Sequence, residues 1–195
     1  MTHYFQNDNN LKNNPRNLVY NYQDFNFNFQ TNSGIFSKTM IDFGSRALLE
    51  EFLKSNPKGD VLDLGCGYGY LGIVINKITN NKVDMIDINE RAIELAQLNN
   101  KNNFTDNQAW VSDGFSQINK KYKYIITNPP IRVGKRKMYS LLKQSRDFLQ
   151  PDGELWLVIR QDQGAKTLIK DIKQEYLIEI VNKKKGFYII KALIA

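Results

Sequence analysis

A single cysteine, Cys66, in a chain of 195 residues leaves no internal disulfide and no zinc site caged by thiolates. Such cysteine usage fits a reducing compartment, and the expected location is cytoplasmic. Histidine is equally scarce: the one present, His3, lies in a polar start and is given no role. No apolar run approaches the roughly eighteen residues of a membrane span, so no membrane partner is expected. The opening MTHYFQNDNNLKNNPRN has neither the apolar centre of a secretory signal nor the arginine-rich pattern of an organellar one. Residues 1–17 are expected to be flexible and residues 18–195 to form one domain. No internal repeat is visible, and nothing in the sequence reports the oligomeric state.

What is present describes an ordinary globule, 42% apolar and 24% charged. Lys and Arg number 27 against 20 Asp and Glu, for a net charge of +7. That excess suits an anionic partner such as nucleic acid, and equally suits a lysine-rich proteome. From Leu18 to Phe29, apolar and polar residues alternate, the two-residue period of a half-buried hairpin. Phe43, Ala47, Leu48 and Phe52 form one stripe of a helix over Asp42 to Leu53. Strands are then expected at Val61–Leu64, Lys82–Ile88, Ala109–Val111, Tyr124–Thr127, Glu154–Ile159, Leu177–Val181 and Phe187–Ala192. Helices fall between most of them, at Tyr70–Ile78, Glu90–Lys101 capped by Asn89, Met138–Phe148 and Ala165–Glu175. The alternation implies an α/β fold with a seven-stranded, mostly parallel sheet covered on both faces. Only Asn182 to Gly186 separate the last two strands, too short for a crossover, so the last strand must run antiparallel.

Ligands of such sheets bind beyond the carboxyl ends of the strands. The first end reads VLDLGCGYG, Val61 to Gly69, where glycines permit a sharp turn and close approach of a ligand to the backbone. Asp63 before the turn suits a cationic amino-acid group and can also brace the turn. Asp87, about twenty residues on, can accept from both hydroxyls of a ribose, and Asp113 in WVSDGF stands at a third end. Gly67 to Gly72 also fits the GxGxxG of nicotinamide enzymes, and Tyr139 and Lys143 have a dehydrogenase spacing. The loop of those dehydrogenases is spaced differently, however, and Tyr139 and Lys143 share one helix face in any case. Cys66 in the glycine turn reads as a small buried side chain rather than a nucleophile. Phe25, Phe27 and Phe29 suit either base stacking or core packing.

Asp63-Leu64-Gly65-Cys66-Gly67-Tyr68-Gly69, Asp87, Asp113 and Asn128-Pro129-Pro130 together resemble the Rossmann-like S-adenosylmethionine methyltransferases that modify amino nitrogens. More narrowly, Ser33 to Ser37, Asp42-Phe43-Gly44-Ser45, Asn128 to Lys135 and Gln161 to Ala165 resemble the ribosomal small-subunit methyltransferase C-like family, over about residues 18 to 195. The resemblance implies a cofactor, S-adenosyl-L-methionine, held by Asp63, Gly65, Gly67, Gly69, Asp87, Ile88, Asp113, Gly114 and Asn128. It implies methylation of a guanine N2 amine in 16S rRNA, with ribosomal RNA or a small-subunit particle as partner. Related amino methyltransferases often carry Phe or Tyr where this sequence has Ile131.

Those residues also explain why the strand YIIT stops at two prolines. An exocyclic amine is a poor nucleophile, because its lone pair is delocalised into the base. The Asn128 side-chain oxygen and the Pro129 carbonyl would accept from its N–H bonds and aim that lone pair at a methyl, while Pro129 and Pro130 make the backbone rigid. Phe36 and Ile131 are candidates to line the base pocket. Arg132 and Lys135 follow the loop, and Lys183, Lys184 and Lys185 end a strand expected to run parallel to the others, so both basic groups should reach the same edge. Methylation of another amino nitrogen, adenine N6 or a protein glutamine, and a non-catalytic RNA-binding assembly factor remain as alternatives.

Overall fold

The computed structural model describes residues 14–32, 40–129 and 134–195. An N-terminal hairpin, β1 (Arg16–Tyr22) and β2 (Phe25–Thr31), leads to helix α1 (Phe43–Lys54). There follow β3 (Val61–Leu64), α2 (Tyr70–Thr79), β4 (Val83–Asp87), α3 (Glu90–Asn103), β5 (Gln108–Val111) and β6 (Tyr122–Thr127). The chain closes with α4 (Lys135–Gln144), β7 (Leu149–Arg160), α5 (Ala165–Ile172), β8 (Tyr176–Lys184) and β9 (Phe187–Ile194).

The seven-stranded sheet has the order β5-β4-β3-β6-β7-β9-β8. Strands β3 to β7 pair in parallel, whereas β9 lies between β7 and β8 and runs antiparallel to both. This is the Rossmann-like methyltransferase arrangement expected from the alternation of elements. The strand order reverses between β3 and β6, so the chain leaves those neighbouring strands in opposite directions and opens a crevice at their carboxyl ends.

Every residue of β3 is buried, as a central parallel strand with helices on both faces requires. One face holds a core of Val61, Ile73, Met85, Ile126, Trp156 and Ile189, covered by the first three helices and the hairpin. The other holds Leu62, Ile125, Leu142, Leu157, Leu168 and Ile190 beneath the last two helices. Phe52 of α1 meets Tyr124 and Trp156 edge-on, at 5.3 and 5.5 Å between ring centroids, and fixes that helix over the sheet. Phe27 and Phe29 are each 1% exposed and serve the core: Phe29 packs edge-on against Tyr68 and Tyr70, both 5.7 Å away.

Several boundaries differ from the sequence reading, those of β7 and α4 the most. Strand β7 begins at Leu149 rather than Glu154, because the chain passes Pro151-Asp152-Gly153 with a register shift instead of a break. Helix α4 begins at Lys135 rather than Met138, since its first three residues are basic and show no apolar period; it ends at Gln144 and tightens into a 3-10 turn, Ser145–Phe148.

Candidate active site

The glycine turn between β3 and α2 is built from positive φ values at Gly65 (76°), Gly67 (56°) and Gly69 (90°), a region side chains with a Cβ rarely occupy. Gly65 and Cys66 donate their N–H groups to the Ile86 carbonyl at 2.8 and 2.9 Å, which ties the turn to the end of β4. Gly65 is exposed, and a Cβ placed on it would meet nothing within 4 Å, so open space borders the bare backbone.

Gly69 offers no side-chain cap to α2; that acceptor comes from the strand instead. Asp63, 1% exposed, takes the Gly72 N–H on Oδ2 at 2.9 Å, while its buried Oδ1 has no hydrogen-bond partner among the described residues. Burial, less the pull of the Gly72 bond and with the charge of Asp87 added, pushes the Asp63 carboxyl up to about 7. The carboxylate therefore braces the turn with one oxygen and holds the other in readiness for a cationic or hydrogen-bonding group.

Asp87 closes β4 and is 3% exposed. Its Oδ2 accepts from Gly67 N and its Oδ1 from Asn89 N, both at 2.9 Å, so the residue fixes the glycine turn as well as the start of α3. Ile88 follows, partly buried. Asp113 is exposed and pairs with Lys137 at 3.1 Å, and Gly114 beside it has a φ of 57°. That ion pair joins the loop after β5 to the first turn of α4.

At the end of β6, Thr127 Oγ1 donates to the Leu64 carbonyl at 2.8 Å and locks the strand to β3. Asn128 comes next. Its Nδ2 donates to Ser45 Oγ at 2.8 Å and to Asp42 Oδ2 at 3.2 Å. Asp42 is itself the N-cap of α1, accepting from Gly44 N at 2.8 Å and Ser45 N at 3.2 Å. A carboxylate only accepts, so the amide nitrogen has to face Asp42, and the Asn128 oxygen is left directed away from α1. Within the described residues no hydrogen bond takes that oxygen. Pro129 follows and is buried; Pro130, Ile131 and Arg132, like Phe36, lie outside the described residues.

Other candidates sort clearly. Burial, with the charges of Asp63 and Asp87 nearby, pushes the Cys66 thiol well above its ordinary range, so it stays a thiol. Tyr139 and Lys143 form no catalytic pair: Lys143 bonds Glu175 at 2.9 Å, and the buried Tyr139 hydroxyl has no partner among the described residues. Lys135 is exposed in the first turn of α4, close to Gly164. Strand alternation sets Lys183 and Lys184 on opposite faces at the β8–β9 tip, and Lys185, past the strand end in the turn at a φ of 48°, joins Lys184. Lys184 and Lys185 lie over the Phe43 ring, whereas Lys183 lies over Tyr188, which packs into the opposite core.

Two parts of the site were not predicted from sequence. Asp42 and Ser45 stand more than eighty residues from Asn128, and an Asp-x-x-Ser at a helix start signals no more than a cap. Asn99 and Asn103 of α3 imitate a neighbouring strand. Asn99 accepts from Gln30 N and donates to Gln30 O and Tyr68 O, and Asn103 does the same with Asn28 N and O, at 2.7–2.9 Å. The hairpin is thereby fastened to the glycine turn.

The fold recurs among solved methyltransferases. A T. thermophilus 16S rRNA N2 methyltransferase, solved with AdoMet and guanosine, superposes with a TM-score of 0.82 at 21% identity, over 93% of this chain and 51% of that one. At that identity the likeness establishes the methyltransferase fold. The methyltransferase small domain family model matches residues 26–191, and the chain belongs to this family of S-adenosylmethionine-dependent methyltransferases. The uncharacterized protein YbxB of Bacillus subtilis is 38% identical over 97% of both chains. Ribosomal RNA small subunit methyltransferase C of Haemophilus influenzae is 33% identical over 81% of this chain. The chain spans about half the length of that relative, 49%.

Proposed function

We propose that the protein methylates an exocyclic amino nitrogen of ribosomal RNA, specifically N2 of a guanine in 16S rRNA. The observation that carries this reading is the Asn128 amide, whose nitrogen is tied off by Asp42 and Ser45 and whose oxygen is left as an acceptor at the switch point of the sheet.

The residues present fit S-adenosylmethionine. Among the described residues Asp63 Oδ1 has no partner and suits the cationic end of its methionine part, the open space at Gly65 admits a ligand against bare backbone, and Asp87, at the end of the neighbouring strand, is the acidic residue placed for the ribose hydroxyls. Asp113, exposed at the next strand end, suits the exocyclic amine of adenine. When bound, the cofactor supplies a sulfonium methyl: the amine lone pair forms the new C–N bond, the C–S electron pair stays on sulfur, and nitrogen loses a proton to water. The chain's part is positional and electrostatic. Asn128 Oδ1 accepts one N–H of the target amine and holds its lone pair along the line of attack. As positive charge grows on nitrogen, the same oxygen stabilises it without reorganising, because Asp42 and Ser45 already hold the amide.

RNA as the acceptor is supported by the net charge of +7 and by the first turn of α4, where Lys135, Arg136 and Lys137 follow the Asn-Pro-Pro loop. Cations at a helix N-terminus oppose the macrodipole, and a polyanion offsets that cost. Guanine over other amines is supported by the relationship to the small-subunit methyltransferases. The test is transfer from labelled S-adenosylmethionine to naked 16S rRNA and to small-subunit particles, followed by nucleoside mass spectrometry. N2-methylguanosine is expected; N6-methyladenosine, methylated glutamine in a protein, or no transfer despite cofactor binding would each overturn the reading.

A further inference from the structure

Phe43 opens α1 immediately after Asp42, and Phe187 opens β9 at the same edge of the sheet. Their ring centroids lie 5.5 Å apart at an angle of 47°. The pair is built in: a Cβ on Gly44 would fall 2.8 Å from Phe187 Cε1, so glycine alone lets that ring rest on the first turn of α1.

Cations collect around these rings. Arg46 Cζ stands 5.7 Å, Lys184 Nζ 6.0 Å and Lys185 Nζ 5.0 Å from the Phe43 centroid, and Arg160 Cζ stands 5.7 Å from that of Phe187. Register explains the gathering, since Phe187 pairs with Arg160 on one side and Lys184 on the other. Arg46, Lys184 and Lys185 enter no ion pair among the described residues. Arg160 does pair with Asp162, at an exposed site. Of the carboxylates nearby, Asp42 caps α1 and accepts from Asn128, and Glu51 is engaged by Lys54 at 2.8 Å and Asn182 at 2.7 Å, with the charge of Lys184 also acting on it.

A carboxylate that gathers lysines neutralises them; an aromatic ring gathers them and leaves the charge intact. Three like charges around one ring repel one another, and an anion placed among them removes that repulsion. A cleft of about 390 Å³, lined by Arg160, Gln161, Asp162 and Gly186, opens beside the cluster. Resting on the reading of the protein as an RNA methyltransferase, we infer that this aromatic-centred cluster seats the phosphodiester backbone of the RNA strand carrying the target amine. A strand fits better than an isolated anion, because the basic first turn of α4 lies past Asn128 on the opposite face of the sheet. Successive phosphates of one chain passing the acceptor reach both groups. Phe43 adjoins Asp42 in sequence, so the seat and the amide clamp share the first turn of α1.

The experiment is a fluorescence-anisotropy titration of a labelled single-stranded RNA over a series of KCl concentrations, with the wild type, a K184Q/K185Q double variant, R46Q and F43L. Two lost phosphate contacts should lower the slope of log affinity against log salt by about 1.4 units in the double variant, and one contact by about 0.7 units in R46Q. F43L keeps every charge but loses the ring, and should weaken binding by roughly three- to tenfold with little change of slope. Calorimetry with S-adenosylmethionine should give one affinity for all four proteins, which reports folding independently. Salt slopes equal to the wild type in the lysine and arginine variants would overturn the seat alone, leaving the methylation reading standing. A wild type that binds cofactor but no RNA would overturn the reading on which the seat rests. Equal binding to phosphatidylserine vesicles, lost in the same variants, would reassign the cluster to an anionic lipid surface and overturn the inference.

Discussion

Asp63→Asn isolates the most perturbed acid of the site. Burial, less the Gly72 hydrogen bond and plus the charge of Asp87, takes the carboxyl from 3.8 to about 7 in the folded protein. In the unfolded chain it titrates near its ordinary value, about 3.9. Between about pH 4 and pH 7 the folded state therefore keeps a proton that the unfolded state has released, so stability falls as pH rises through that window and levels off above it. Three units at 1.36 kcal/mol each set the loss at on the order of 4 kcal/mol. Asn carries no charge to desolvate and retains an oxygen for Gly72, so the variant should lose this pH dependence and gain stability at pH 8. A cationic ligand group beside Oδ1 favours the ionised form. Wild-type cofactor affinity should then rise up to about tenfold per pH unit below pH 7 and flatten above, with a proton released on binding. Urea unfolding from pH 4 to 8.5, with calorimetry in two buffers of different ionisation enthalpy, measures both effects. Parallel stability curves for wild type and variant, or pH-independent binding without proton release, would refute the reasoning.

Other perturbations separate positioning from packing. Ser45→Ala removes one of two partners of the Asn128 nitrogen and should cut kcat about three- to tenfold with cofactor affinity unchanged, as checked by single-turnover kinetics. Asp87→Ala frees the Gly67 and Asn89 N–H groups and should cost about 2 to 4 kcal/mol, shared between unfolding stability and calorimetric cofactor affinity. Asn99→Ala strands the Gln30 backbone groups and the Tyr68 carbonyl. It should cost about 2 to 4 kcal/mol and accelerate hydrogen exchange in β2 before the rest of the sheet.

The strands around the site were legible because a central parallel strand must be apolar on both faces: Val61–Leu64 and Tyr124–Thr127 could hardly be anything else. Asp63, Asp87 and Asn128 were legible for a related reason, being polar residues at the ends of such strands with glycine or proline beside them. Contacts across the fold were not. Nothing local marks Ser45 as the residue that orients Asn128, and Asn99 and Asn103 read as the polar side of a helix although both are at most 4% exposed. The lysine run shows the same limit in reverse. Lys183, Lys184 and Lys185 form one cluster in sequence, yet the two-residue strand period sends Lys183 to the face opposite Lys184, and the turn at Lys185 returns it to the side of Lys184.

The most direct measurement is mass spectrometry of nucleosides from 16S rRNA of a strain lacking the gene, complemented with the wild type or with Asn128→Ala. An acceptor that serves only the target amine should be worth about a hundredfold or more in rate, with cofactor affinity nearly intact. One N2-methylguanosine lost on deletion, restored by the wild type and not by a folded, cofactor-binding Asn128→Ala, is the result expected. Full restoration by Asn128→Ala, or 16S rRNA unchanged by the deletion, would contradict it.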